Sequence, residues 1–100
     1  MNHQKGHELV NEIHEMVSFL SMQFNNINKP EIGYDECDGH FYGFSFDRVE
    51  PSQVIRHEGE TENYFIGFYT ETESIEAVFE NNGFTMEIEN MKDITKFLNL

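Results

Sequence analysis

Residues 75–89 read IEAVFENNGFTMEIE, two alternating runs around Asn82-Gly83. That dipeptide accepts the two positive φ values of a type I′ turn, so the segment predicts a β-hairpin. A two-residue turn pairs Phe79 with Met86 and Ala77 with Ile88 on one face. It leaves Glu80 with Thr85, Val78 with Glu87 and Glu76 with Glu89 on the other. One face is therefore apolar and the other carries acids, the pattern of antiparallel strands with a single buried side.

The same period of two extends upstream. In His40–Asp47, Tyr42, Phe44 and Phe46 alternate with Phe41, Gly43 and Ser45; in Tyr64–Thr70, Tyr64, Ile66 and Phe68 alternate with Phe65, Gly67 and Tyr69. Ile32 and Tyr34 make a short preceding partner. A three-residue loop of Cys37, Asp38 and Gly39, with Gly39 at positive φ, sets Tyr34 against Tyr42 and Ile32 against Phe44. Glu50 to Glu62, with Pro51 and Gly59, reads as a loop, with Val54–His57 as a candidate edge strand.

Helices flank the strands. Leu9, Ile13, Met16, Val17, Leu20, Phe24 and Ile27 recur at helical spacing, which predicts a helix over 7–27 that stops before Pro30. Its neutral polar face carries His7, Asn11, His14, Ser18 and Asn25, and Glu8, Glu12 and Glu15 lie beside the apolar arc. Asn90 caps a short C-terminal helix with Met91, Ile94, Phe97 and Leu98 on one side and Asp93 in its first turn. The expected fold class is α+β: an N-terminal amphipathic helix, an antiparallel sheet of four or five strands and a short C-terminal helix, the helices on one face of the sheet. Residues 1–100 are expected to form one domain.

Composition narrows the functions. Nineteen Asp and Glu against six Lys and Arg give a net charge of −13, which repels nucleic acid and anionic membranes and attracts basic proteins. With 38% hydrophobic residues, including ten Phe, the chain has enough apolar area to fold. No apolar run approaches the roughly 20 residues of a membrane-spanning helix, and no secretion signal stands at the N-terminus. A lone Cys37 closes no intramolecular disulfide, so a cytoplasmic location is expected.

Charge is also unevenly placed. From His57 to Met91 there is no Lys or Arg, while Glu58, Glu60, Glu62, Glu71, Glu73, Glu76, Glu80, Glu87 and Glu89 fall in that stretch. Like charges opposed across a strand pair destabilise a sheet, so folding alone would favour a Lys at such a position. The expected partner-binding residues are Glu76, Glu80, Glu87 and Glu89, then Glu71 and Glu73, and Glu8, Glu12 and Glu15 on the long helix. Phe41, Phe65 and Tyr69 point away from the helices around Gly43 and Gly67; they form an exposed patch, lie under the 50–62 loop or are buried in a homodimer.

Metal and catalytic patterns are weaker. His3-x3-His7, His14 and Cys37-x2-His40 hold ligand types, but nothing joins the pairs, and they read as ordinary surface and loop residues. No nucleophile motif or Gly-rich phosphate loop occurs, so neither catalytic residues nor a cofactor or metal is expected. The expected function is a non-enzymatic acidic inhibitor that occupies a basic surface of a nuclease or other nucleic-acid-processing protein. Its carboxylates would stand in for phosphates, as in phage-type anti-restriction or anti-CRISPR proteins by functional analogy. The alternative is an immunity protein or dedicated chaperone that neutralises a cognate toxin or effector.

Overall fold

A computed structural model describes residues 3–19, 24–37, 39–49 and 61–98. The elements run α1 (His3–Phe19), β1 (Phe24–Asn25), β2 (Glu31–Asp35), β3 (Gly39–Val49), β4 (Thr61–Tyr69), β5 (Ser74–Phe79), β6 (Phe84–Ile88) and α2 (Met91–Leu98). All pairings are antiparallel, in the order β1-β3-β4-β5-β6, with β2 joined to the same edge of β3 that holds β1 further along. The expected α+β architecture, with helices packed against the sheet, is the one observed.

The core lies between one sheet face and the helices. Phe44, Phe46, Tyr64, Ile66, Phe68, Ile75, Ala77 and Ile88 meet Val10, Ile13 and Val17 from α1 and Ile94 and Leu98 from α2. Phe44 and Phe46 of β3, Tyr64 of β4 and Phe79 of β5 stack in sequence with centroids 5.2–5.5 Å apart. Each side chain of this size contributes about 1.5–3 kcal/mol on burial. Among the described residues no polar or charged residue is fully buried.

Four sequence expectations need correction. The first helix ends at Phe19 on the described side, and Phe24, which fits the helical period, instead pairs with Arg48 as β1 and packs edge-on against Phe46 at 5.5 Å. A left-handed Asn26 (φ 51) turns the chain out of β1. The β2–β3 hairpin is slipped by two residues, so Tyr34 faces His40 and Ile32 faces Tyr42. Gly39 does take positive φ (77), but as the first residue of β3 opposite Asp35, whose Oδ1 accepts from the Cys37 amide.

The β5–β6 hairpin is slipped by two as well. Phe79 pairs with Phe84, Val78 with Thr85, Ala77 with Met86 and Glu76 with Glu87, which leaves a four-residue loop, 80–83, in place of the type I′ turn. Gly83 alone there has positive φ, its amide donates to the Phe79 carbonyl, and Asn82 Oδ1 accepts from Phe84 N. Asn81 Oδ1 accepts from Asn63 N on β4, so a bond to another strand holds the wider loop. Finally, β4 begins at Thr61, opposite Val49, so Thr61 and Glu62 are strand and not loop. The Val54–His57 strand and the remainder of the 50–62 loop lie outside the described residues.

The expected cap of α2 is present. Asn90 Oδ1 accepts from Lys92 N and Asp93 N, and Asp93 Oδ2 accepts in return from Asn90 N and Glu89 N. This reciprocal arrangement satisfies amides that the first helical turn leaves without helical acceptors. Asn90→Ala is expected to lower stability by about 1 kcal/mol, which a shift in the urea midpoint at unchanged slope would show.

Candidate protein-binding face

The second face of the sheet points away from both helices, and its floor is aromatic. Gly33, Phe41, Tyr69 and Ser74 form one cross-strand row, and Ser45, Phe65, Val78 and Thr85 another. Between them runs Glu31–Gly43–Gly67–Glu76–Glu87. The two central glycines leave room for a ring. A Cβ on either Gly43 or Gly67 would come within 2.6 Å of the Phe65 ring, so the end of that ring covers both. The Phe41 ring likewise covers Gly33.

The rings form one cluster. Phe41 meets Phe65 edge-on at 5.4 Å and lies 5.5 Å from Tyr69. Phe41 and Phe65 are half-buried, whereas Tyr69 is 8% exposed and sits deeper in the surface. These three rings, Val78, Asp35 and Glu80 line a shallow depression of about 280 Å³. The orientation expected for Phe41, Phe65 and Tyr69 is therefore correct. Asp35 and Val78 were missed. Parity alone places both on this face, and the expected β2–β3 register even sets Asp35 opposite Phe41, so the alternation that located the rings was the signal for them.

The expected acids divide into three groups. Glu76 and Glu87 are directly opposed on the open face, at the end of the glycine row, with Glu31 at its other end. Neighbouring strands lie about 4.8 Å apart, which puts Glu31 and Glu76 about 14 Å from each other. Glu80 joins this group at the rim of the depression. Glu71 and Glu73 form the exposed β4–β5 turn, where Glu71 packs on Gly39 and Glu73 is left-handed (φ 51).

Glu89 belongs with the helix acids. It lines a cleft of about 390 Å³ with Lys5, Glu8, Leu9, Glu12, Asn90 and Met91, between α1 and the start of α2. Asp93 holds the Glu89 amide and so fixes the chain at this junction. Glu15 is exposed further along α1. The helix and hairpin acids thus meet at Glu89, while Glu76 and Glu87 look outward from the other face.

The polar stripe of α1 is only partly a solvent face: Asn11 and Ser18 are exposed, but its histidines pack on the sheet. His7 lies 4.4 Å from the Tyr42 ring and edge-on to Phe68, and Asn11 Oδ1 accepts from the Tyr42 hydroxyl. His14 sits edge-on to Phe44 at 4.8 Å, and its Nε2 donates to the Asn28 carbonyl. His40 packs against Tyr34, and Cys37 is an exposed free thiol. Among the described residues no cluster of three or more His, Cys, Asp or Glu could hold a metal, and no helix is long and apolar enough to cross a membrane.

No protein-family model, curated protein or solved structure matches the chain.

The glycine row makes the open face testable on its own. A Cβ on Gly43 would meet backbone, 2.5 Å from the Ile66 carbonyl oxygen and 2.7 Å from Gly67 Cα. On Gly67 the closest atoms belong to the Phe65 ring, which can swing away. Gly43→Ala is therefore expected to destabilise by about 1–3 kcal/mol. Gly67→Ala should cost less but lift Phe65 off the sheet, seen as altered ring-current shifts of Phe41 and Tyr69 in NMR spectra.

Proposed function

We propose that this protein is a small acidic, non-enzymatic binding module of the cytoplasm. It occupies a basic, nucleic-acid-binding surface of a nuclease or other nucleic-acid-processing protein. Its carboxylates take the places of phosphates, in the manner of phage-type anti-restriction or anti-CRISPR inhibitors. The observation that carries this reading is the row Glu31–Gly43–Gly67–Glu76–Glu87. Folding gains nothing from opposing two glutamates across a strand pair, which costs a few tenths of a kcal/mol or more. A partner rich in Lys and Arg would turn that cost into attraction and would speed association by steering. The exposed, free Cys37 suits a reducing compartment.

The aromatic floor favours the second reading, an immunity protein or dedicated chaperone for one cognate toxin or effector. Phe41, Phe65 and Tyr69 would then anchor the complex and the acids would chiefly steer it. The two readings differ in which residues dominate. A homodimer through this face would bring Glu76 and Glu87 against their own copies, which the charge opposes.

Affinity capture from native lysate should recover a basic partner at low salt and release it as salt rises. Glu76→Lys with Glu87→Lys is expected to abolish both capture and competition with nucleic acid, whereas Phe41→Ala reduces them less; the opposite ranking would reject mimicry. Glu87→Lys alone sets a Lys against Glu76 and is expected to raise stability by about 0.2–1 kcal/mol while weakening capture. A thermal or urea unfolding curve on the same variant checks that half of the expectation.

A further inference from the structure

We infer that the depression lined by Asp35, Phe41, Phe65, Tyr69, Val78 and Glu80 is a binding site for an arginine side chain of the partner. It rests on the reading of the open face as a contact for a basic protein, and it names the group that the face takes. The depression, about 280 Å³, is of side-chain dimensions and too small for a helix. Its floor is aromatic and its rim is acidic. Phe41 and Phe65 meet at 89° and Tyr69 is tilted 44° to Phe41, so ring faces and ring edges both border the space.

A guanidinium suits that lining better than other side chains. It is planar, always charged and weakly hydrated, so it stacks on ring faces and gains from their quadrupole. An aliphatic side chain would gain nothing from Asp35 and Glu80, and a carboxylate would be repelled by them. An ammonium would be attracted, but it is more strongly hydrated and cannot stack as a plane. The rim acids are held by the fold. Asp35 is oriented by its bond to the Cys37 amide, and the Glu80 amide donates to the Asn63 carbonyl.

The glycines set where these rings lie. Phe65 reaches over Gly43 and Gly67, and Phe41 over Gly33, and with their planes at 89° one ring offers its face where the other offers its edge. Glu31, Glu76 and Glu87 add negative potential around the floor and select for a cation at longer range.

The test uses the free protein and N-acetyl-arginine methylamide, followed through the aromatic NMR signals of Phe41, Phe65 and Tyr69. Saturable shifts at these rings are expected, with much weaker effects from the neutral citrulline analogue, which has nearly the same shape. Asp35→Asn keeps the Oδ1 acceptor for the Cys37 amide and so preserves the turn. That variant and Glu80→Gln should each weaken binding about threefold, and together about tenfold. Equal shifts with citrulline, or arginine shifts confined to the Glu8–Glu12–Glu89 cleft, would overturn the assignment. The two proposals fail separately. If the probe misses these rings while capture still depends on Glu76 and Glu87, the arginine site falls alone. If the probe binds here but capture ignores those reversals, the arginine site stands and phosphate mimicry falls.

Discussion

Nine consecutive residue pairs join β3 to β4, from Phe41 with Tyr69 to Val49 with Thr61, and the third of them sets Gly43 against Gly67. Everything on the open face follows from that opposition. Two adjacent residues without side chains make a trough between strands, and a neighbouring ring, Phe65, fills it. On the other face the same register puts Phe44 beside Ile66 and Phe46 beside Tyr64, which begins the aromatic stack that α1 and α2 cover. One pairing therefore builds a dry face and a display face.

The display face joins groups that folding alone would keep apart. Half-buried rings gain by leaving water, yet here they remain at the surface, where a partner can complete their burial. The acids beside them gain by spreading out, yet Glu76 and Glu87 are neighbours across β5 and β6. Both features are tolerable because the apolar side is thoroughly buried: among the described residues fourteen apolar ones, including five from the two helices, are enclosed there. A cost of tenths of a kcal/mol on one face is small beside several kcal/mol gained on the other.

Wherever a strand was read from the sequence its residues were given the right face, and the partner of many was not legible, for one physical reason. Side chains alternate with period two, so a slip of two residues changes neighbours without changing faces. Phe79 pointed inward whether it met Met86 or Phe84, and Ile32 shared a face with Tyr42 or Phe44 alike. The choice between these registers lay in two bonds: Asn81 reaching Asn63 on another strand, which no local pattern announces, and Asp35 accepting from the Cys37 amide, a local turn that competes with the Gly39 loop. The end of α1 was hidden by a coincidence of spacing. Phe24 satisfies the helical period, but it is buried against Phe46 as a strand residue, and the Asn25-Asn26 step was the overlooked sign of a chain able to leave helical geometry.

The candidate site was legible to the same depth. Phe41, Phe65 and Tyr69 could be placed by parity alone, and so could Glu76 and Glu87. Parity would have placed Asp35 as well, whereas the separation of Glu89 from Glu87 required the capped start of α2, because Glu89 follows the last strand residue and turns toward α1. The acids that a linear reading grouped as one patch consequently face two directions. A single rigid surface of a partner can engage the Glu31–Glu76–Glu87 row together with the rings, but to reach the Glu8–Glu12–Glu89 cleft as well it must wrap around an edge of the sheet. A curved basic groove has that shape and a flat basic patch does not, so the division of the charge bears on the form of the proposed partner as well as on its sign.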